Sequence, residues 1–224
     1  MKKKILNILL VGVYSVLLMS CGKDNYDSPS STLSGKVMYS QDPIGVRGTN
    51  NSVRLQLWQD DYALRTPIDV YVTQDGSFKA ALFDGTYKLI TVPGNGPWKH
   101  AKDTLVVQVN GDTAIDFPVE PYFTISGTQY SLQGDVLTAT FALDQHDQSR
   151  GADEISLLVN DTQFVDLGHF TAKQNSEDIK NGTISISLNI ADQLASSKAL
   201  FARVAVKASG ITEAVYDTTP EKIK

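Results

Sequence analysis

From residue 33 to the C-terminus, apolar and polar side chains alternate in short runs broken by Gly, Asp, Asn and Pro. A period of two places one face of each run in a core and the other in water, which is the pattern of strands and not of helices. The spacing predicts strands over 33–39, 53–59, 68–72, 77–81, 86–91, 104–109 and 113–119. The dipeptides Asp75-Gly76, Asp84-Gly85 and Asn110-Gly111 reach positive φ cheaply and join antiparallel neighbours. A second set is predicted over 123–130, 136–143, 154–160, 183–190 and 200–209, with a last strand near 213–216. Residues 144–153 and 171–181 read as polar loops, and 191–198 suits a helical turn or two on the surface. Pro118 and Pro121 bracket Val119-Glu120, a poor strand centre and a good boundary. The fold class is all-β, two tandem antiparallel β-sandwich domains; one larger sandwich is the competing arrangement.

The N-terminus adds a different kind of information. Met1 to Ser20 is MKKKILNILLVGVYSVLLMS, three lysines and then an apolar run that ends beside the only cysteine of the 224 residues. That is a signal segment, too short for a transmembrane helix and without a stop-transfer cluster after it. Leu18-Met19-Ser20-Cys21 is similar to a bacterial lipobox, which makes Cys21 the lipidation residue and outer-membrane lipid a partner through its acyl chains. Cleavage before Cys21 leaves 17 basic and 25 acidic side chains, a formal charge of −8. A nucleic-acid partner is excluded, because no Lys/Arg density remains to neutralise phosphates. The expected organisation is signal peptide 1–20, lipidated flexible tether 21–32, first sandwich 33–120, second sandwich 121–219 and C-terminal tail 220–224.

Few residues carry chemistry. His100, His146 and His169 are isolated in sequence, and no His-Glu-x-x-His, Gly-x-Ser-x-Gly or phosphate-loop pattern is present. No catalytic residue, metal or cofactor is expected. Paired carboxylates drawn from Asp60, Asp61, Asp144, Asp147 and Asp153 would be the route to a hydrolase. Asp144, Asp147, Asp153 and Glu154 do not follow the spacing of a calcium loop and read as a solvated acidic loop. The candidate binding segment is Thr91 to His100, TVPGNGPWKH. Its Pro-Gly and Gly-Pro junctions stiffen the backbone around Asn95-Gly96 and present Trp98, either as a platform for the apolar face of a sugar or as a plug over the core. The ligand-binding candidates are therefore Trp98 and Asn95, with Trp58 and Tyr62. Parity puts Trp58 on the face of Arg54 and Gln56, opposite Val53, Leu55 and Leu57. Tyr122 and Phe123 are placed at the domain junction as cement.

Together VRLQLWQ (53–59), IDVYV (68–72), QDGSF (74–78), LFDGTYK (82–88), GNGPW (94–98) and PYF (121–123) resemble the Bacteroides lipoprotein family known as domain of unknown function 3823. The resemblance implies a carboxypeptidase regulatory-like or prealbumin-like first domain and an immunoglobulin-like second one. It further implies a genomic setting beside outer-membrane importers of the starch-utilisation type, a TonB-dependent barrel with its lipid-anchored lid, which makes a TonB-dependent importer complex an expected partner; a polysaccharide or oligosaccharide is the ligand expected of the candidate aromatics. No catalytic residue is carried over from it. The expected location is lipid-anchored in the outer membrane at the cell surface, the alternative being its periplasmic face. A glycan-binding or importer-associated accessory protein is the leading expectation; a structural or adhesin-like module and a hydrolase are the alternatives.

Overall fold

The computed structural model describes residues 27–60, 65–179 and 181–224. The expected signal segment 1–20, Cys21, Asp61 and Tyr62 lie outside the described residues.

The first half contains β1 (Ser31–Tyr39), β2 (Asp42–Pro43), β3 (Arg54–Trp58), β4 (Ile68–Tyr71), β5 (Ser77–Leu82), β6 (Gly85–Thr91), β7 (Leu105–Val109), β8 (Asp112–Ala114) and β9 (Phe117–Pro118). One sheet has the order β2-β1-β5, with β8 and β9 also on β1; the other runs β4-β3-β6-β7, antiparallel throughout. The alternation of β3 is realised as expected, with Val53, Leu55 and Leu57 fully buried and Arg54, Gln56 and Trp58 half-buried on the opposite face. Each such leucine contributes about 1.5–3 kcal/mol of burial. Facing them across the core are Leu33, Val37, Phe78 and Leu82.

The strand expected over 113–119 is instead two short strands, both parallel to β1, at Thr32↔Asp112 to Ser34↔Ala114 and at Val37↔Phe117. The chain bulges between them over Gly35, where an added Cβ would lie 1.8 Å from the Ile115 carbonyl oxygen. The interrupted ladder leaves the Lys36 N–H to donate to the Asp116 carboxylate at 3.0 Å. β1 begins at Ser31, which is buried, so the ordered fold starts two residues inside the segment read as tether.

The second half contains β10 (Phe123–Gln133), β11 (Val136–Gln145), β12 (Ala152–Asn160), β13 (Ala172–Asn175), β14 (Gly182–Asn189), α1 (Ala191–Ser196), β15 (Phe201–Ala208), β16 (Val215–Tyr216) and β17 (Glu221–Lys222). Its sheets are β10-β11-β14 and β13-β12-β15-β16, with β17 on β15. β13 falls within residues read as loop; its sequence, AKQN, has no apolar alternation because it is an exposed edge paired only to β12. The expected C-terminal tail is likewise tied down, Glu221 pairing with Ala202 and the Ile223 N–H donating to Leu200. α1 buries no side chain and carries the chain from one sheet to the other.

The side chains of β15 from Ala202 to Val206 are all buried, on both faces of their sheet. One face meets the sandwich core. The other is covered by Val165, Ala214 and Tyr216, and in its middle sits Arg203, fully buried. The first domain closes over the same region.

Candidate functional site

Two lines of contact join the domains. On one side the main chain of Gly45 bridges Tyr216, whose N–H donates to the Gly45 carbonyl at 3.0 Å. The approach is so close that a Cβ on Gly45 would lie 2.3 Å from the Tyr216 carbonyl oxygen. Arg203 donates from Nη2 to the Gln74 carbonyl of the first domain at 2.8 Å, from Nε to Asp217 O at 2.7 Å and from Nη1 to Val165 O at 3.4 Å. Its guanidinium also lies 4.6 Å from the centre of the Tyr216 ring. Burial pulls its pKa down to about 10, against the neighbouring Asp217 and Asp166, so it stays charged at neutral pH. Nearby the buried Asp166 accepts from the Thr49 hydroxyl at 2.6 Å and lies 3.5 Å from Arg47 Nε and 3.2 Å from His169 Nδ1.

On the other side, the Trp98 loop is part of the joint. The Lys99 N–H donates to Glu120 and the Tyr122 N–H to Pro97, which pins Trp98 against Pro121. Trp98 is 3% exposed and belongs to the core, with no partner for its Nε1. The indole is the plug and not the expected sugar-stacking platform, because the linker that follows the first sandwich folds over it. Asn95 is also committed internally, accepting from Arg54 N at 2.7 Å and donating to Ser52 O at 2.6 Å. Trp58 remains half-buried on the outer face of β3. Tyr122 and Phe123 are both buried at the junction.

Between the two lines lies an open cleft of about 610 Å³. Its first wall is the β1–β2 hairpin, which brings Tyr39 and Asp42; its second is the start of β10 with the end of β11, bringing Thr124, Asp144 and His146; its floor is the C-terminal segment with Asp217 and Glu221. The register pairs Thr124 with Asp144, and the His146 N–H donates to Tyr122 O at 2.9 Å. His146 thereby faces across the junction. Its ring centre is 4.6 Å from that of Tyr39 at 50°, its Nδ1 is 3.3 Å from the Tyr39 hydroxyl, and its Nε2 is 2.8 Å from the Thr124 hydroxyl. The Asp217 carboxylate accepts from the hydroxyls of Thr128 and Tyr130. Burial first, and then that carboxylate, raise the Tyr130 pKa and hold the phenol as a donor.

Nothing in the sequence groups the cleft residues, and His146 stands isolated there. Of the acidic loop only Asp144 reaches the cleft. Asp147 caps Ser149 and meets Lys99 at 3.6 Å, and Glu154 pairs with Lys173 at 2.8 Å. Among the described residues no group of three or more His, Cys, Asp or Glu is placed to hold a metal ion.

Fold and cleft together define a tandem β-sandwich protein whose domains share one polar groove. Residues 31–120 match the model of "Protein of unknown function (DUF3823) N-terminal domain" and residues 123–221 that of "Domain of unknown function (DUF3823_C)". The chain belongs to the DUF3823 family. A DUF3823 family protein from Parabacteroides merdae is 37% identical with a TM-score of 0.83, over 88% of this chain and 100% of that one. One from Bacteroides ovatus is 30% identical with a TM-score of 0.78, over 86% and 97%. A "putative carbohydrate binding protein" from Bacteroides uniformis shares the fold at 22% identity and a TM-score of 0.70, over 88% and 99%. A search of the curated proteins finds no match.

Proposed function

We propose that this chain is a non-catalytic, lipid-anchored accessory protein of the outer-membrane surface that binds a glycan in the interdomain cleft and works beside a polysaccharide importer. The observation that carries the binding reading is the cleft itself, with the Tyr39–His146 ring pair spanning it and hydroxyl and carboxylate groups from both domains around the rings. Saccharides are recognised by this combination, an aromatic surface for the C–H face and fixed polar groups for the hydroxyls. The name of the Bacteroides uniformis protein points the same way. Anchoring at Cys21 and display at the surface rest on the sequence alone. A purely structural module would need no groove, so the groove favours binding over the spacer role.

The test is affinity electrophoresis of the full chain in detergent against host and plant polysaccharides, with Tyr39→Ala and His146→Ala beside it. Retention by at least one polysaccharide, lost in both variants while the melting temperature moves little, is the expected result. Retention unchanged in both variants places binding elsewhere and overturns the assignment to the cleft.

A further inference from the structure

We infer that the cleft selects its saccharide by charge: it takes oligosaccharides bearing protonated amino groups ahead of neutral ones and turns away uronic-acid and sulfated glycans. This rests on the glycan reading and adds the chemical class of the ligand.

The cavity is lined by four carboxyl side chains, Asp42 in the first domain, Asp144 at the end of β11, and Asp217 and Glu221 in the C-terminal segment. None of the described lining residues is a lysine or arginine. Asp217 is occupied by two hydroxyls, whereas Asp42, Asp144 and Glu221 are exposed around the groove. The basic groups of the junction are turned elsewhere. Arg47 faces Asp166, Lys99 faces Glu120 and Asp147, and Arg203 spends its donors on three carbonyls beneath the floor. A ligand carboxylate or sulfate entering the groove would therefore lose hydration and meet, beside neutral hydroxyls and the His146 ring, carboxylates of its own sign with no lysine or arginine to offset them. An ammonium group would meet carboxylates as a charge-assisted donor, and a sugar hydroxyl would meet them as an ordinary one. The Tyr39–His146 pair supplies ring surface to all three classes alike, so the carboxylates decide among them.

The experiment uses the full chain in detergent and isothermal titration with three probes of matched length: glucosamine oligosaccharides, their fully N-acetylated counterparts and oligogalacturonates. Acetylation removes the ammonium and leaves the sugar backbone. At about 20 mM salt the amine form is expected to bind about tenfold more tightly than the acetylated form, and the ratio to shrink toward one at about 300 mM, where screening shortens the reach of exposed charges. The triple variant Asp42→Asn, Asp144→Asn, Glu221→Gln should fold normally, all three positions being exposed, and should abolish the preference for the amine form by weakening it more than the acetylated probe. Oligogalacturonate should give no heat with the wild type. Oligogalacturonate binding as tight as the amine form, or a ratio untouched by the triple variant, overturns the charge selectivity and leaves glycan binding standing. Failure of every saccharide, charged or neutral, in both this titration and the polysaccharide screen overturns the glycan reading and the selectivity with it.

Discussion

Replacing Arg203 by methionine removes a fully buried guanidinium that donates to Gln74 O in the first domain and to Asp217 O and Val165 O in the second. Two of those bonds are short, and a buried acceptor left without its donor costs about 1–3 kcal/mol. Loss of the contact with the Tyr216 ring adds about 1 kcal/mol, and methionine returns part of the total by packing its own apolar surface. The net expectation is a loss of about 3–5 kcal/mol, from two orphaned carbonyls at about 1–3 kcal/mol each and the ring contact, less what the methionine packing returns. For a protein of this size each kcal/mol moves the melting temperature by about 2–4 °C. Calorimetry should then show a drop of roughly 6–20 °C. Because one of the three acceptors belongs to the other domain, the single cooperative transition expected of the wild type should split in two. Arg203→Lys keeps a charge but not the fork that spans three carbonyls, and should recover only part of the loss. A loss below about 1 kcal/mol with one transition retained would show that the joint does not depend on this side chain and refute the reasoning.

Trp98→Ala should cost about 3–5 kcal/mol in chemical denaturation, as expected of a large core side chain, whereas Trp98→Phe should be much milder because the buried Nε1 has no partner to lose. Gly45→Ala drives a Cβ into the carbonyls of Tyr216 and Asp217 and should part the domains, read as new protease cleavage near residues 44–49 and loss of any saccharide binding. Glu213 is buried beside Arg47 and Asp166: burial pushes its carboxyl up, Arg47 opposes the rise and Asp166 adds to it. A raised carboxyl favours folding when protonated and disfavours it when ionised, so Glu213→Gln should raise the melting temperature at pH 7. That gain should vanish below the ordinary glutamate value of 4.5, where both states hold the proton; a gain that is the same at every pH contradicts the assignment.

What the sequence discloses of this fold is what each strand decides alone. β3 has a wet face and a dry face, so VRLQLWQ reads correctly residue by residue. β8 and β9 do not, because two or three residues are held there by β1, about eighty positions upstream, and their parallel direction is set by that partner. The loop 91–100 announces stiffness through its prolines and glycines, yet the direction of Trp98 is decided by Pro121, more than twenty residues later. Local chemistry fixes that the indole is presented; the following domain fixes that it is covered.

The cleft was illegible for a related reason. Tyr39 and His146 stand 107 positions apart, and neither belongs to a motif. They meet because two independently patterned sandwiches are fastened by contacts that are mostly main chain on at least one side: Gly45 to Tyr216, Arg203 to Gln74, Tyr122 to Pro97. Backbone carbonyls carry no side-chain signature, so the joint leaves little trace in sequence beyond a glycine with no room for a Cβ and an arginine inside an apolar strand. Those same contacts are directional. Hydrogen bonds to fixed carbonyls lock an angle between domains that apolar packing alone would leave free to slide. A groove walled by two domains keeps its shape only if that angle is fixed, and a ligand entering a preshaped groove is spared the ordering cost of closing it. The buried polar joint is therefore better understood as the frame of the cleft than as a source of net stability.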